Sequence, residues 1–423
     1  MRRKAISFPR MMRIQQSFPA PVVEDVAGEV RRELAKLELG RCLRPGDSVA
    51  VPVGSRGIAN LALIIKTVVE ELKALGAAPF IVPAMGSHGG AAAAGQRRVV
   101  EELGVTEDYV GAPIRSSLEV VQVGQSAEGV PVYFDREAHQ ADHVAVINRV
   151  KPHTVLKGHI QSGLHKMMLI GLGNHRGAVT YHQAFLKYDA DRILPSVGRE
   201  VIERCRVLFG LALVENPREE TALIRGVAPQ DFFAAEKELQ ALSQKLIPRL
   251  PFEEADLLIV DQIGKNYSGS GMDSNVVGRK SHQHHAAPGE RPRITCIYVR
   301  DLSPESHGNA TGIGRAEFAH SRLVEKIDRE ATWVNCITAN APASGTIPIH
   351  FDSDRRVLKE ALAAAGVSDP AAALVMRIPN TMELSQVLVS EAYGPQLAAR
   401  ADLRVLLPPA PLEFDAAGNL SPM

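Results

Sequence analysis

The chain of 423 residues is 45% hydrophobic and 23% charged, and its 48 Lys and Arg balance 48 Asp and Glu. That composition excludes a disordered or fibrous protein, and at roughly 100–200 residues per domain the length predicts about two to four domains. A chain of zero net charge with 5% aromatics has no global pull toward nucleic acid or anionic lipid. Cys42, Cys205, Cys296 and Cys336 form no C-x-x-C pair, which argues against a disulfide framework or a cysteine zinc site and suits a reducing compartment. No apolar run reaches the roughly eighteen residues of a membrane span. The start is a poor signal peptide, because Arg2, Arg3, Lys4, Arg10, Arg13 and Pro9 interrupt any apolar core. The expected location is cytoplasmic.

In chain order, Asp47 to Val53 reads as a buried strand. Arg56 to Leu75 then places Ile58, Leu61, Ile65, Val68, Val69, Leu72 and Leu75 on one helical stripe that Gly76 stops. Ala78 to Ala84 is the next strand, and Ala91 to Leu103 the next helix. This β-α-β-α order predicts a parallel sheet. Asp142 to Asn148 and Cys205 to Val214 add strands, and Ala234 to Lys245 reads as a polar helix. Pro248 and Pro251 flank a short linker. A second α/β unit starts at Asp256 to Asp261 and continues through strands at Ile294–Val299, Trp333–Thr338, Ala373–Arg377 and Arg404–Leu407. The tail after Pro408 is expected to fray. The expected fold is thus α/β, with two domains of mainly parallel, Rossmann-like sheets, residues 1–250 and 251–423, and a site in the cleft between them.

Ligands of parallel α/β sheets bind at the carboxyl ends of the strands. Gly54-Ser55-Arg56-Gly57 follows the first strand, Gly86-Ser87-His88-Gly89 the second, and Asn148 to His153 the third. An Arg and two His therefore fall at equivalent positions on one rim. Lys151 to His182 holds His153, His159, His165, His175 and His182, five of the chain's 14 histidines. Within it Lys166 precedes the apolar run Met167–Leu172, where burial would favour the free, nucleophilic amine; a lysine snorkelling to solvent is the bland reading. Gly171, Gly173 and Gly177 follow an apolar helix rather than a strand, so they make a weak dinucleotide loop. The second unit offers a Gly-rich loop, Ser268 to Asn275, at a strand end. His282, His284 and His285 after it have the composition of a solvated loop more than of a metal site.

These residues resemble the lactate racemase family, whose members use a nickel-pincer nucleotide. Ser55-Arg56, Gly86-Ser87-His88, Ile147 to His153 and Ser162-Gly163-Leu164-His165-Lys166 carry the resemblance, the last two in series being fairly specific. It implies an isomerase, a 2-hydroxyacid racemase or epimerase that works by reversible hydride transfer through a 2-keto acid. It implies nickel and the cofactor pyridinium-3-thioamide-5-thiocarboxylic acid mononucleotide, held covalently on Lys166, with cofactor-biosynthesis proteins as partners. By the same resemblance His182 ligates nickel, with His175 the runner-up. His88 and His153 are acid and base on opposite faces of the substrate, and Arg56 steadies it. Ser55, Ser162, Gly163, Asp273 and Asn275 contact the cofactor. No nucleic acid or membrane is expected.

The residues suit that chemistry. Inverting C2 of a 2-hydroxy acid asks for a proton acceptor on each face, with a pKa near operating pH. An arginine can pair with the carboxylate, and nickel with sulfur donors and one imidazole favours a planar site. There are departures from the family pattern. Gly54 stands where the family has Asp, and Gly278 and Ser281 stand where it has Gln and Lys; Arg279 or Lys280 are candidate substitutes, and a substrate other than lactate is expected. Two alternatives are a non-catalytic ligand- or cofactor-binding relative and a nicotinamide-dependent α/β dehydrogenase. Against the latter, no G-x-G-x-x-G follows the first strand.

Overall fold

The computed structural model describes residues 8–55, 57–280 and 286–423. It divides into two compact units: residues 19–247, and residues 248–423 together with the segment ending at Phe18. The sequence reading assigns residues 1–250 to one domain. In the structure β1 (Met11–Gln16) instead pairs with strands from the C-terminal end of the chain. The sequence reading assigns no strand here, since Arg13, Gln15 and Gln16 interrupt the apolar residues Met11, Met12 and Ile14.

The unit of residues 19–247 is built on β2 (Ser48–Val53), β3 (Ala78–Pro83), β6 (His143–Arg149), β7 (Val207–Glu215) and β8 (Thr221–Val227). Their order is β3-β2-β6-β7-β8, parallel except for β8. β4 (Val120–Gln125) and β5 (Pro131–Asp135) form a separate antiparallel pair. The longer helices are α1 (Val26–Ala35), α2 (Leu61–Ala74), α3 (Ala93–Glu102), α4 (Asn174–Ala184), α5 (Ala190–Arg204) and α6 (Phe232–Leu246).

The strand period of two sorts side chains between the faces of this sheet. Val49, Val51 and Val53 pack with Ile64, Ile65, Val68 and Leu72 of α2. Ala50, Val82, Val144 and Val146 pack on the other side with Leu164, Met168, Leu169 and the α5 residues Ile193 and Val197. The apolar stripe predicted from Arg56 is helical only from Leu61, and Gly76, at φ 85°, terminates it as expected.

The second unit holds an eight-stranded sheet, in which β9 (Glu254–Val260), β10 (Arg293–Val299), β11 (Phe318–His320), β12 (Ile349–Phe351) and β13 (Val375–Ile378) are parallel. β14 (Gln386–Ser390), β1 and β15 (Leu403–Ala410) extend it antiparallel beyond β13. The fold is α/β with mainly parallel sheets, as the sequence predicts.

Two expectations are corrected. Trp333–Thr338 lies in a helix, α7 (Arg329–Thr338), not a strand. Asp328 caps it by accepting from Ala331 N at 2.9 Å, and Thr332 and Cys336, four apart, face inward while Trp333, Val334 and Ile337 are exposed. The cap and this spacing outweigh the β-branched composition of the run. The tail is also held rather than frayed: Leu420 N donates to Asp354 at 2.7 Å, and the carbonyls of Leu420 and Ser421 each accept from Arg300 and Arg377, respectively, at 2.6 Å. Among the described residues, no helix is long and apolar enough to cross a membrane.

Candidate active site

The carboxyl ends of β2, β3 and β6 release three turns, Gly54-Ser55, Ala84 to His88 and Asn148 to His153. Two of them rest on the segment Leu164 to Ala184. Gly86, at φ 62°, lies so close that a Cβ there would stand 3.2 Å from the Ala178 Cβ and 3.3 Å from Ile170, so only glycine fits. A Cβ on Gly54 would lie 3.5 Å from the Met167 terminal methyl. That segment opens with the single helical turn Leu164–Lys166, passes through a π-helical turn over Met167–Gly171 and enters α4. Such wide turns recur where a helix must re-aim functional side chains.

His88 is exposed, and its Nδ1 is hydrogen-bonded to the Ser55 hydroxyl, which joins the first turn to the second. Gln96 of α3 braces the turn by donating to the Gly86 carbonyl at 2.9 Å and the His88 carbonyl at 3.4 Å. His153 is oriented differently. Its Nδ1 accepts from both Val155 N and Leu156 N at 3.0 Å, and its own N–H donates to Gln161 Oε1 at 2.9 Å. A nitrogen that accepts two N–H groups carries no proton, so neutral His153 is protonated at Nε2.

Lys166 is half-buried. Although His182 is exposed by area, enough protein surrounds its ring that lost hydration holds its pKa below the ordinary histidine value; the nearby Lys166 ammonium adds to this. The lysine and the histidine, sixteen residues apart, thus lie within range of a charge–charge repulsion. His175 lies exposed in the first turn of α4, seven residues before His182 and hence on the same stripe.

Ser162 and Gly163 shape the turn before Lys166. The Ser162 hydroxyl accepts from Lys151 N at 2.7 Å and donates to the Lys151 carbonyl at 2.6 Å, and Asn148 Nδ2 donates to the Gly163 carbonyl at 2.8 Å. Arg149 is paired with Glu215, whose other oxygen accepts from Ala59 N at 2.8 Å. Arg56 lies outside the described residues, as do His282, His284 and His285.

In the second unit, Asp273 caps a short helix, Ser274–Val277, by accepting from Asn275 N and Asn275 Nδ2, each at 2.8 Å. Arg279 is not placed to meet a substrate. Its guanidinium is fully buried, paired with Glu317 at 2.7 Å and donating to the carbonyls of Ile294 at 2.9 Å and Thr295 at 3.3 Å, as well as to that of Arg315. This removes one of the two substitutes considered for the family lysine, because Arg279, immediately after the turn at Gly278, is held inward by Glu317 and backbone carbonyls. Lys280 is half-buried.

One residue that sequence reasoning did not assign belongs to the site's support. Glu236, fully buried on α6, accepts from Leu164 N, from His165 N at 3.2 Å and from His165 Nδ1. No sequence signal announces a carboxylate 71 residues from its partner. A groove of about 780 Å³ between α1 and β8 holds none of these residues. Among the described residues, no group of three or more His, Cys, Asp or Glu side chains could hold a metal by itself.

Residues 9–193 match the family model of the lactate racemase N-terminal domain. The fold is similar to that of the lactate racemase apoprotein from Thermoanaerobacterium thermosaccharolyticum, with a TM-score of 0.54 at 12% identity over 88% of this chain and 94% of that one. It is also similar to a protein from Thermotoga maritima, with a TM-score of 0.52 at 14% identity over 78% of this chain and 84% of that one. No curated protein matches the chain.

Proposed function

From the match of residues 9–193 to the lactate racemase N-terminal domain, we propose that the protein belongs to that family and is a racemase or epimerase of a small 2-hydroxy acid. The observation that carries this reading is the close seating of the His88-bearing turn, at Gly86, on Ile170 and Ala178 of the one segment that holds both Lys166 and His182. A nickel-pincer nucleotide fits these residues. Lys166 would anchor it, and His182, whose reduced proton affinity favours the neutral imidazole a metal requires, would be the one protein ligand. The remaining donors would come from the cofactor. When bound, the group supplies the electrophilic carbon that accepts hydride from C2 of the substrate.

The two histidines would divide the proton work unequally. His88 leans on a hydroxyl that both donates and accepts, so either charge state of the ring keeps its partner. It is suited to take the substrate hydroxyl proton as C2 is oxidised and to return it afterwards. His153 offers an Nε2–H, and protonating its Nδ1 would break two backbone hydrogen bonds. It is suited to donate to the substrate oxygen on the other side. Arg56, from its place in the sequence, would hold the substrate carboxylate, and the Asp273–Asn275 turn would add cofactor contacts. The 2-keto acid formed between the two transfers needs protection from water, which the apolar packing around Met167 and Leu169 favours.

The test is to make the protein in a host that synthesises the cofactor, then measure intact mass and nickel content and incubate it with a C2-deuterated 2-hydroxy acid. An adduct on the Lys166 peptide with inversion that retains deuterium is expected. Washout of the label into solvent during inversion would reject hydride transfer. Cysteine usage supports a reducing location such as the cytoplasm.

A further inference from the structure

The helical turn that presents Lys166 begins at Gly163, which has no side chain to cap it and a φ of 100°. The first N–H groups of a helix have no partner within it. Here they are met from a distance by Glu236. One carboxylate oxygen takes Leu164 N, and the other takes His165 N at 3.2 Å and the His165 imidazole. The carboxylate comes so close that a Cβ on Gly163 would lie 2.1 Å from Glu236 Oε1. The glycine of the S-G-x-x-K signature is therefore required by Glu236 as well as by its own backbone.

His165 is enclosed in turn. A Cβ on Gly198 of α5 would lie 2.5 Å from its Cδ2, and the rings of Phe232 and Phe233 meet it edge-on at 6.4 and 6.3 Å. The output of this box is the direction of the next residue, Lys166.

We propose that Glu236, acting through Leu164 and His165, is the positioning residue that aims the Lys166 amine at the rim. This rests on the reading of Lys166 as the anchor. A buried carboxylate facing three N–H donors is a charge-assisted arrangement, stronger and shorter than neutral hydrogen bonds. It fixes the first turn of a segment whose next turn is already widened. Without it the turn frays, and the half-buried lysine opens toward solvent.

The experiment reads the apoprotein, so it needs no cofactor. Surface lysines are acylated with a limiting amount of an N-hydroxysuccinimide ester, and peptide mass spectrometry gives the rate at Lys166 relative to exposed Lys237, which lies beside Glu236 on α6. Glu236→Gln, close in shape, should raise that ratio about tenfold, the factor equivalent to losing a hydrogen bond to a charged group. His165→Gln leaves the carboxylate on the two backbone N–H groups and should raise the ratio less, in the same direction. General loosening of the protein would also raise the rate at half-buried Lys66 of α2, which should instead keep its wild-type value relative to Lys237. A ratio within about twofold of wild type in Glu236→Gln overturns the proposal; if that variant does not fold, the same result in His165→Gln does so. The result is separate from the adduct test, since Lys166 can prove to be the anchor whether or not Glu236 aims it.

Discussion

Asn174 Nδ2 donates to Asp135 Oδ2 at 2.7 Å, tying the first residue of α4 to the end of β5, while the Asn174 Oδ1 is buried without a partner. The other Asp135 oxygen accepts from Ala138 N at 2.9 Å. Burial pushes the Asp135 pKa up from 3.8 to about 6 against the hydrogen bonds that lower it. Because the folded value is raised, the folded state binds more protons than the unfolded chain between these two values. The stability contribution is fully present below the unfolded pKa and is lost as pH rises through about 6. The loss is of the order of 3 kcal/mol.

Asp135→Asn removes this titration. It also allows the Asn174 amide to turn, so that its unpartnered oxygen accepts from the new amide. The variant should match wild type near pH 4 and become more stable than it as pH rises to 8. Urea midpoints across that range measure the difference, and parallel curves for the two proteins would contradict the assignment.

The unequal environments of His88 and His153 predict unequal tolerance to glutamine, which donates a hydrogen bond but is no base. His88→Gln should reduce turnover by roughly 100- to 10,000-fold, the usual size of a general acid–base contribution. His153→Gln should lose only about tenfold, the value of a weakened hydrogen bond. Equal, large losses in both would restore symmetric acid–base roles. Nitrogen-15 shifts of His153 in the apoprotein should independently show the proton on Nε2.

Lys166→Ala should abolish both the cofactor adduct and activity, and Lys166→Arg should not restore either, because a guanidinium is a far poorer nucleophile. Intact mass of protein from a cofactor-producing host decides this. An adduct of unchanged mass on Lys166→Ala would move the anchor elsewhere.

His182 stands sixteen residues after Lys166, the interval that the family resemblance gives the metal ligand, and this ranks it above His175. Nickel per chain, measured by elemental analysis after exhaustive dialysis, should fall by about tenfold or more in His182→Ala, as expected on losing a coordinating group rather than one of its outer supports. It should stay near wild type in His175→Ala. The reverse pattern would exchange the two roles.

Much of this was written locally. The stripe ending at Gly76 fixed a helix, since apolar spacing and a glycine stop depend only on neighbours. The rim was legible because strand ends and Gly-bearing turns are local, which is why Ser55, His88 and His153 could be singled out. Resemblance to the lactate racemase family, not spacing alone, singled out Lys166 in its S-G-x-x-K segment and His182 sixteen residues later. What sequence spacing could not supply was partnership. Whether Met11–Gln16 joined the nearer or the farther sheet depended on pairing across some 370 residues, from Met11 to Ser390. Trp333–Thr338 had strand composition, but Asp328 and the buried pair Thr332 and Cys336 made it a helix. Arg279 looked available as a cation until the fold surrounded it with carbonyls and Glu317. Glu236 was one acidic residue in a polar helix, and only the tertiary structure brought it to Gly163 and His165. Residue types and local periodicity set which groups are offered; three-dimensional packing decides which of them meet, because a buried polar group must find its hydrogen-bond partner wherever the fold provides one.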